Sequence, residues 1–244
     1  MIKLIKQMFK TDIPPHYLVD IHSHLIPGID DGAKTMEDSI ALIKRLQALG
    51  FKKLITTPHI MSHRFRNSSK IILDGLEELK EELHRQNIII DVEAASEYYL
   101  DEHFVELLER RDILTFGENY LLFENAYGLK PLNYEATIFE MKVAGYKPVL
   151  AHPERYLFMH KDFTLYERLK DLGVFFQINL NSLSGYYSKD VQKMAHKLVE
   201  RGFIEFIGSD THHQTHLEHF SKNIDSKNLA KIFKYNTILN QQLL

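Results

Sequence analysis

The sequence contains no cysteine. That excludes disulfides, thiolate zinc sites and any mechanism with a cysteine nucleophile. It also lacks an excess of positive charge. Thirty Lys and Arg stand against 33 Asp and Glu, for a net charge of −3. This argues against a nucleic-acid binder that works through a broad basic surface. Long apolar runs are missing too. Lysines interrupt every apolar stretch between Met1 and Lys10, so none has the length of a signal-peptide core or a bilayer span. The protein is read as soluble and cytoplasmic. Residues 1–17 are read as an N-terminal extension, a short amphipathic segment suited to packing on the domain. No low-complexity or Pro/Gly/Ser-rich linker divides the remainder. With 44% hydrophobic residues the chain can build one large core, and 18–244 is read as a single domain.

What is present is an alternation of short β-rich runs with helical patterns. The runs centre on Val19–Ile21, Lys53–His59, Ile88–Glu97, Tyr120–Glu124, Pro148–His152, Val174–Leu180 and Ile204–Asp210. Between them lie helical stretches. One is opened by Thr35 with Asp38 as a capping pair and stopped by Gly50; another spans Ser69 to Arg85 with Leu73, Leu76, Leu79 and Leu83 as its apolar stripe. Others cover 103–109, 133–144, 163–172, 191–201 and 226–239. This order implies a parallel sheet covered by helices, and several runs are apolar on both faces, as buried parallel strands are. The length favours a barrel over an open sheet. The fold class is α/β, a seven-stranded TIM-like barrel.

The chemistry collects where those runs end. His22 and His24 lie two residues apart, on one face of a strand. Asp30 and Asp31 follow in a turn, one suited to ligate and the other to shape the turn. The remaining ends are His59, Glu97, Glu124, His152 and Asp210 with His212. In a β/α barrel such ends share one rim, where active sites are built. A buried carboxylate costs several kcal/mol unless it is paired or metal-bound. The set exceeds what one tetrahedral site uses. It suits two or three divalent ions bridged by a carboxylate, the apparatus of phosphoester hydrolysis. Arg155, just after His152-Pro153-Glu154, has the planar fork that grips phosphate. The other histidines, His16, His84, His103, His160 and His196, fall on helices or connections and are read as surface or packing residues.

These motifs resemble the polymerase and histidinol phosphatase (PHP) superfamily. They are His22-Ser23-His24 with Asp30-Asp31-Gly32, Thr57-Pro58-His59, Ser96-Glu97, His152-Pro153-Glu154-Arg155 and Ser209-Asp210-Thr211-His212. Within it the match is closest to the manganese-dependent protein tyrosine phosphatases of bacterial capsule and exopolysaccharide loci, the CpsB/YwqE type. The resemblance implies a distorted seven-stranded β/α barrel, the PHP fold, with a Mn²⁺ centre of two or three ions; Fe, Zn or Co also suit such donors. It implies that His22, His24, Glu97 and Asp210 hold one ion. Glu97 would bridge to a second, completed by Glu124 and His152, and Asp31, His59 and His212 would hold a third. Arg155 would bind the substrate phosphate, and Arg155, Asp210 and His212 would serve the chemical step. The implied substrate is phosphotyrosine, notably in the tail of a partner tyrosine kinase. Alternatives are a small-molecule phosphomonoesterase of the histidinol-phosphate kind and a non-catalytic kinase-binding module. One departure stands out. The resemblance leads us to expect an Arg soon after the Asp-x-His motif, and none follows His212. His213, His216, Arg64 and Arg66 are the candidates to replace it.

Overall fold

A computed structural model describes residues 18–223 and 226–244. The expected N-terminal extension and His16 lie outside the described residues. Nine strands are described: β1 Val19–Asp20, β2 Lys53–Thr56, β3 His59–Ile60, β4 Asp91–Ala94, β5 Glu97–Tyr99, β6 Tyr120–Glu124, β7 Lys147–Ala151, β8 Phe175–Asn179 and β9 Phe206–Gly208. They form a three-stranded sheet, β1-β2-β4, and a six-stranded sheet, β3-β5-β6-β7-β8-β9. Every pairing is parallel.

Nine strands replace the seven expected because two runs are interrupted side by side. Pro58, which has no N–H for a ladder, separates β2 from β3, and Ala95-Ser96 separates β4 from β5. The breaks are stitched together: the Ser96 hydroxyl donates to the Pro58 carbonyl at 2.7 Å and the Glu97 amide to the same oxygen at 3.1 Å. Residues 22–24 extend the line of β1. On one side the Thr57 amide donates to the Ser23 carbonyl (2.7 Å). On the other, the Asp210 amide donates to the His22 carbonyl (2.8 Å) and the His24 amide to the Thr211 carbonyl (2.9 Å). The first and last strand ends are therefore neighbours.

Helices fill the connections: α1 Met36–Leu49, α2 Ser69–Arg85, α3 Glu102–Arg110, α4 Tyr134–Val143, α5 Leu157–His160, α6 Thr164–Asp171, α7 Lys189–Glu200, α8 Gln214–Asn223 and α9 Ser226–Tyr235. Thr35 and Asp38 form the expected capping box, and Gly50 closes α1 in a left-handed conformation at φ 112°. In α2 the stripe is Ile72, Leu76, Leu79 and Leu83; Leu73, read as part of it, is exposed. The spacing 72, 76, 79, 83 keeps to one helical face, and residue 73 lies a step off it. His84, His103, His160 and His196 lie on helices, as expected. The described chain has no helix long and apolar enough to cross a membrane.

Candidate metal centre

The strand ends bring nine candidate donors together: His22, His24, Asp31, His59, Glu97, Glu124, His152, Asp210 and His212 fall into overlapping groups whose donor atoms lie within 4.8 Å of one another. Glu97 is the hub. It opens β5 and is wholly buried. Its Oε1 lies 2.9 Å from His152 Nε2. Its Oε2 lies 3.2 Å from both His22 Nε2 and His59 Nδ1, and 3.5 Å from His24 Nε2. Asp210 Oδ1 stands 3.3–3.6 Å from nitrogens of His22, His24 and His212. Asp31 Oδ1 lies 3.4 Å from Nε2 of both His59 and His212. Glu124 Oε1 is 3.2 Å from His59 Nδ1. That nitrogen is buried and has no hydrogen-bond partner among the described residues, although two carboxylate oxygens lie close by. Histidine nitrogens and carboxylate oxygens crowded in this way, one of them without a hydrogen-bond partner, are what a cation would satisfy.

The electrostatics agree. Burial pushes the Glu97 carboxyl up, yet the charges of His22 and His59 and the hydrogen bond from His152 hold it well below its ordinary range. Burial also opposes ionisation of Asp210, which His22, His212 and Arg155 overcome. Burial pulls His22 down, but Glu97 and Asp210 raise it to about 9. The cluster thus keeps its carboxylates ionised and favours positive charge between them.

Backbone strain marks two of these donors. His152 and Asp210 adopt left-handed φ of 35° and 51°, conformations that cost non-glycine residues about 1–3 kcal/mol and gather at functional sites. Glycines make room elsewhere. A Cβ on Gly32 would meet the His24 carbonyl oxygen at 2.3 Å, and one on Gly208 would meet His22 Cβ at 2.6 Å.

The adjacent aspartates take different partners. Asp30 Oδ2 accepts from His24 Nδ1 (2.7 Å) and from the His59 amide (3.1 Å), and its Oδ1 accepts from the Gly32 amide (2.9 Å). Burial raises its carboxyl, but the His24 contacts bring it down to about 2. Asp30 shapes the turn and orients His24, while Asp31 joins the donor groups.

Beside the donors opens a cleft of about 480 Å³ lined in part by Arg64, Phe65, Tyr99, Tyr127 and Arg155. The Arg155 guanidinium packs against two rings, 4.5 Å from the Tyr127 centroid and 4.2 Å from that of Tyr187, and it donates to Asp210 Oδ2 at 3.1 Å. Arg64 reaches the cleft mouth, 3.5 Å from Asp31. Arg66 donates to the Ser62 carbonyl at 2.7 Å and does not line the cleft. His213 and His216 do line it.

The family model for capsular polysaccharide synthesis, CpsB/CapC, matches residues 18–237. The chain belongs to this CpsB/CapC family. Among curated relatives, the tyrosine-protein phosphatase YwqE of Bacillus subtilis (strain 168) is 29% identical over 196 residues, 80% of this chain and 77% of its own length. The tyrosine-protein phosphatase CpsB of Streptococcus pneumoniae is 26% identical over 201 residues, covering 80% and 83%. A solved structure described as one of the crystal structures of YwqE and CpsB, "unique metal-dependent tyrosine phosphatases", superposes with a TM-score of 0.77 at 25% identity. It covers 90% of this chain and 96% of its own.

In this CpsB/CapC chain some site residues were not legible beforehand. Tyr127 and Tyr187 come from connections, where no periodicity points inward. Gln177 and Asn179 touch the donors from β8. They had a signal that went unread: two polar residues in alternate positions of an otherwise apolar strand.

Proposed function

We propose that this chain is a metal-dependent phosphatase that hydrolyses phosphotyrosine on proteins, with the tail of a bacterial tyrosine kinase in capsule or exopolysaccharide synthesis as its substrate. The observation that carries this reading is the Glu97 carboxylate, which faces His152 with one oxygen and His22, His24 and His59 with the other. A carboxylate so shared suits a bridge between cations. The family membership and the metal-dependent tyrosine phosphatases among the chain's relatives support the same reaction.

In this reading the two sheets act as one distorted seven-run β/α barrel, and residues 18–244 are a single catalytic domain. The cytoplasmic setting follows from the substrate, since kinase domains that make it draw on ATP. His22, His24, Glu97 and Asp210 would hold one Mn²⁺, Glu97 with Glu124 and His152 would hold a second, and Asp31, His59 and His212 a third. Bound divalent ions supply Lewis acidity, neutralise phosphate oxygens and lower the pKa of water. The protein does the positioning. Arg155, packed against Tyr127 and Tyr187, presents its fork to the phosphate. Arg64, which also lines the cleft, takes the place of the arginine missing after His212. Arg66 would join only if the 61–67 loop turned it inward. Asp210 ties the arginine to the donor cluster.

The test is hydrolysis of phosphotyrosine peptides, phosphoserine peptides and histidinol phosphate, each with Mn²⁺ and with a chelator. Turnover of the phosphotyrosine peptides that a chelator abolishes is expected. Selective turnover of histidinol phosphate would overturn the substrate assignment. A protein that binds phosphotyrosine peptide but never cleaves it would favour a binding module.

A further inference from the structure

Beneath the donor ring, β8 contributes two amides, Gln177 and Asn179. They lie two residues apart on one strand and so share a face, and both are wholly buried. Gln177 Oε1 accepts from His22 Nδ1 at 2.7 Å and from the His152 amide at 3.4 Å. Its Nε2 donates to Asn179 Oδ1 at 2.9 Å. Asn179 Nδ2 in turn donates to Asp210 Oδ2 at 2.6 Å. The Tyr187 hydroxyl (3.2 Å) and Arg155 (3.1 Å) donate to that same oxygen.

The direction of this chain is fixed by chemistry. An ionised carboxylate only accepts, so the Asn179 NH₂ faces Asp210 and its oxygen faces Gln177. Gln177 must then turn its NH₂ to Asn179 and its oxygen to His22. His22 therefore keeps a proton on Nδ1, which leaves Nε2, facing Glu97 and Asp210, as the nitrogen that would release its proton to take a cation. Meanwhile three donors occupy Asp210 Oδ2. Its Oδ1 is left facing the nitrogens of His22, His24 and His212. The space is tight: a Cβ on Gly208 would meet Gln177 Nε2 and His22 Cβ at 2.6 Å each.

We infer that Gln177 and Asn179 are positioning residues that select the metal-binding tautomer of His22 and divide the Asp210 carboxylate, one oxygen for a cation and one for Arg155. The metal-facing and phosphate-facing halves of the cleft are thereby held in register by one strand. This rests on the metal-centre reading above.

The experiment is calorimetric titration of metal-stripped full-length protein with Mn²⁺, followed by binding of inorganic phosphate to the Mn²⁺-loaded form. Groups that orient a ligand in this way are worth about 10- to 100-fold in metal affinity. Gln177→Leu is expected to weaken Mn²⁺ binding by that factor. Gln177→Glu, whose carboxylate still accepts from His22 Nδ1, binds Mn²⁺ more tightly than the leucine variant. Asn179→Ala weakens phosphate binding more than Mn²⁺ binding. Wild-type Mn²⁺ affinity in Gln177→Leu, or no advantage of Gln177→Glu over it, overturns the inference. If the leucine variant does not fold, unchanged phosphate affinity in Asn179→Ala overturns it instead. A wild-type chain that takes up no Mn²⁺ overturns the metal reading and this inference together; binding wild type with unaffected variants overturns this inference alone.

Discussion

Two glutamates at opposite ends of the strands meet opposite fates. Glu205, just before β9 begins, is closed off by the protein itself. Lys170 Nζ lies 2.7 Å from both of its oxygens and also donates to the Val174 carbonyl, and the Phe176 amide donates to Glu205 Oε2 at 2.9 Å. Burial there draws the pair toward neutrality: Glu205 is raised in spite of Lys170, and Lys170 is lowered. Glu97, at the other end of the strands, has no lysine or arginine paired with it among the described residues. It faces four histidines, and its carboxyl is pushed down rather than up. A half-buried carboxylate that is part of the scaffold is matched by a protein cation and by a backbone amide. One that serves a centre is surrounded by neutral-capable ligands and left for a charge from outside.

The largest effect is expected from breaking the open end. Glu97→Gln removes the shared donor. Lewis-acid catalysis is worth several kcal/mol, so turnover in the phosphotyrosine assay should fall by about 10³-fold. The melting temperature of the metal-free variant should fall as well, because the histidines that hold the Glu97 carboxyl low lose their counter-charge. Next comes the closed end. Lys170→Met strands Glu205 and should cost about 3 kcal/mol of stability by urea denaturation, with kcat/KM of the folded enzyme unchanged. A loss of activity there without loss of stability would collapse the distinction between the two ends. Arg155→Lys keeps the charge but loses the fork. It should lower kcat/KM by about 30-fold, roughly 2 kcal/mol of charge-assisted hydrogen bonding. The smallest effect is at Asp30. Asp30→Asn loosens the hold on His24 Nδ1 and should weaken Mn²⁺ binding by about tenfold in calorimetry.

The same contrast explains what was readable in the sequence. Donors at strand ends announce themselves: His22 and His24 share a face by spacing alone, and His59 and His152 each adjoin a proline that stops the strand. Helix boundaries near caps, such as Thr35 and Gly50, were legible for the same local reason. Features set by tertiary packing were not. The stacking of Tyr127 and Tyr187 on Arg155 depends on where two connections come to rest. The breaks that split two runs into β2, β3, β4 and β5 arise where Pro58 and Ser96 meet across strands. Helix α8, directly after His212, follows a histidine-rich run whose local pattern gives no apolar stripe. The Lys170–Glu205 pair joins a helix to a strand end 35 residues later, and no short-range pattern links them.

The most direct measurement of the central claim is the number of ions held per chain. Protein prepared with Mn²⁺ and freed of excess metal would be assayed by plasma mass spectrometry, alongside Glu97→Gln. Two or three ions per wild-type chain are expected, fewer in the variant, with turnover that rises and falls with occupancy. Phosphatase activity that persists in protein shown to hold no metal would contradict the central claim.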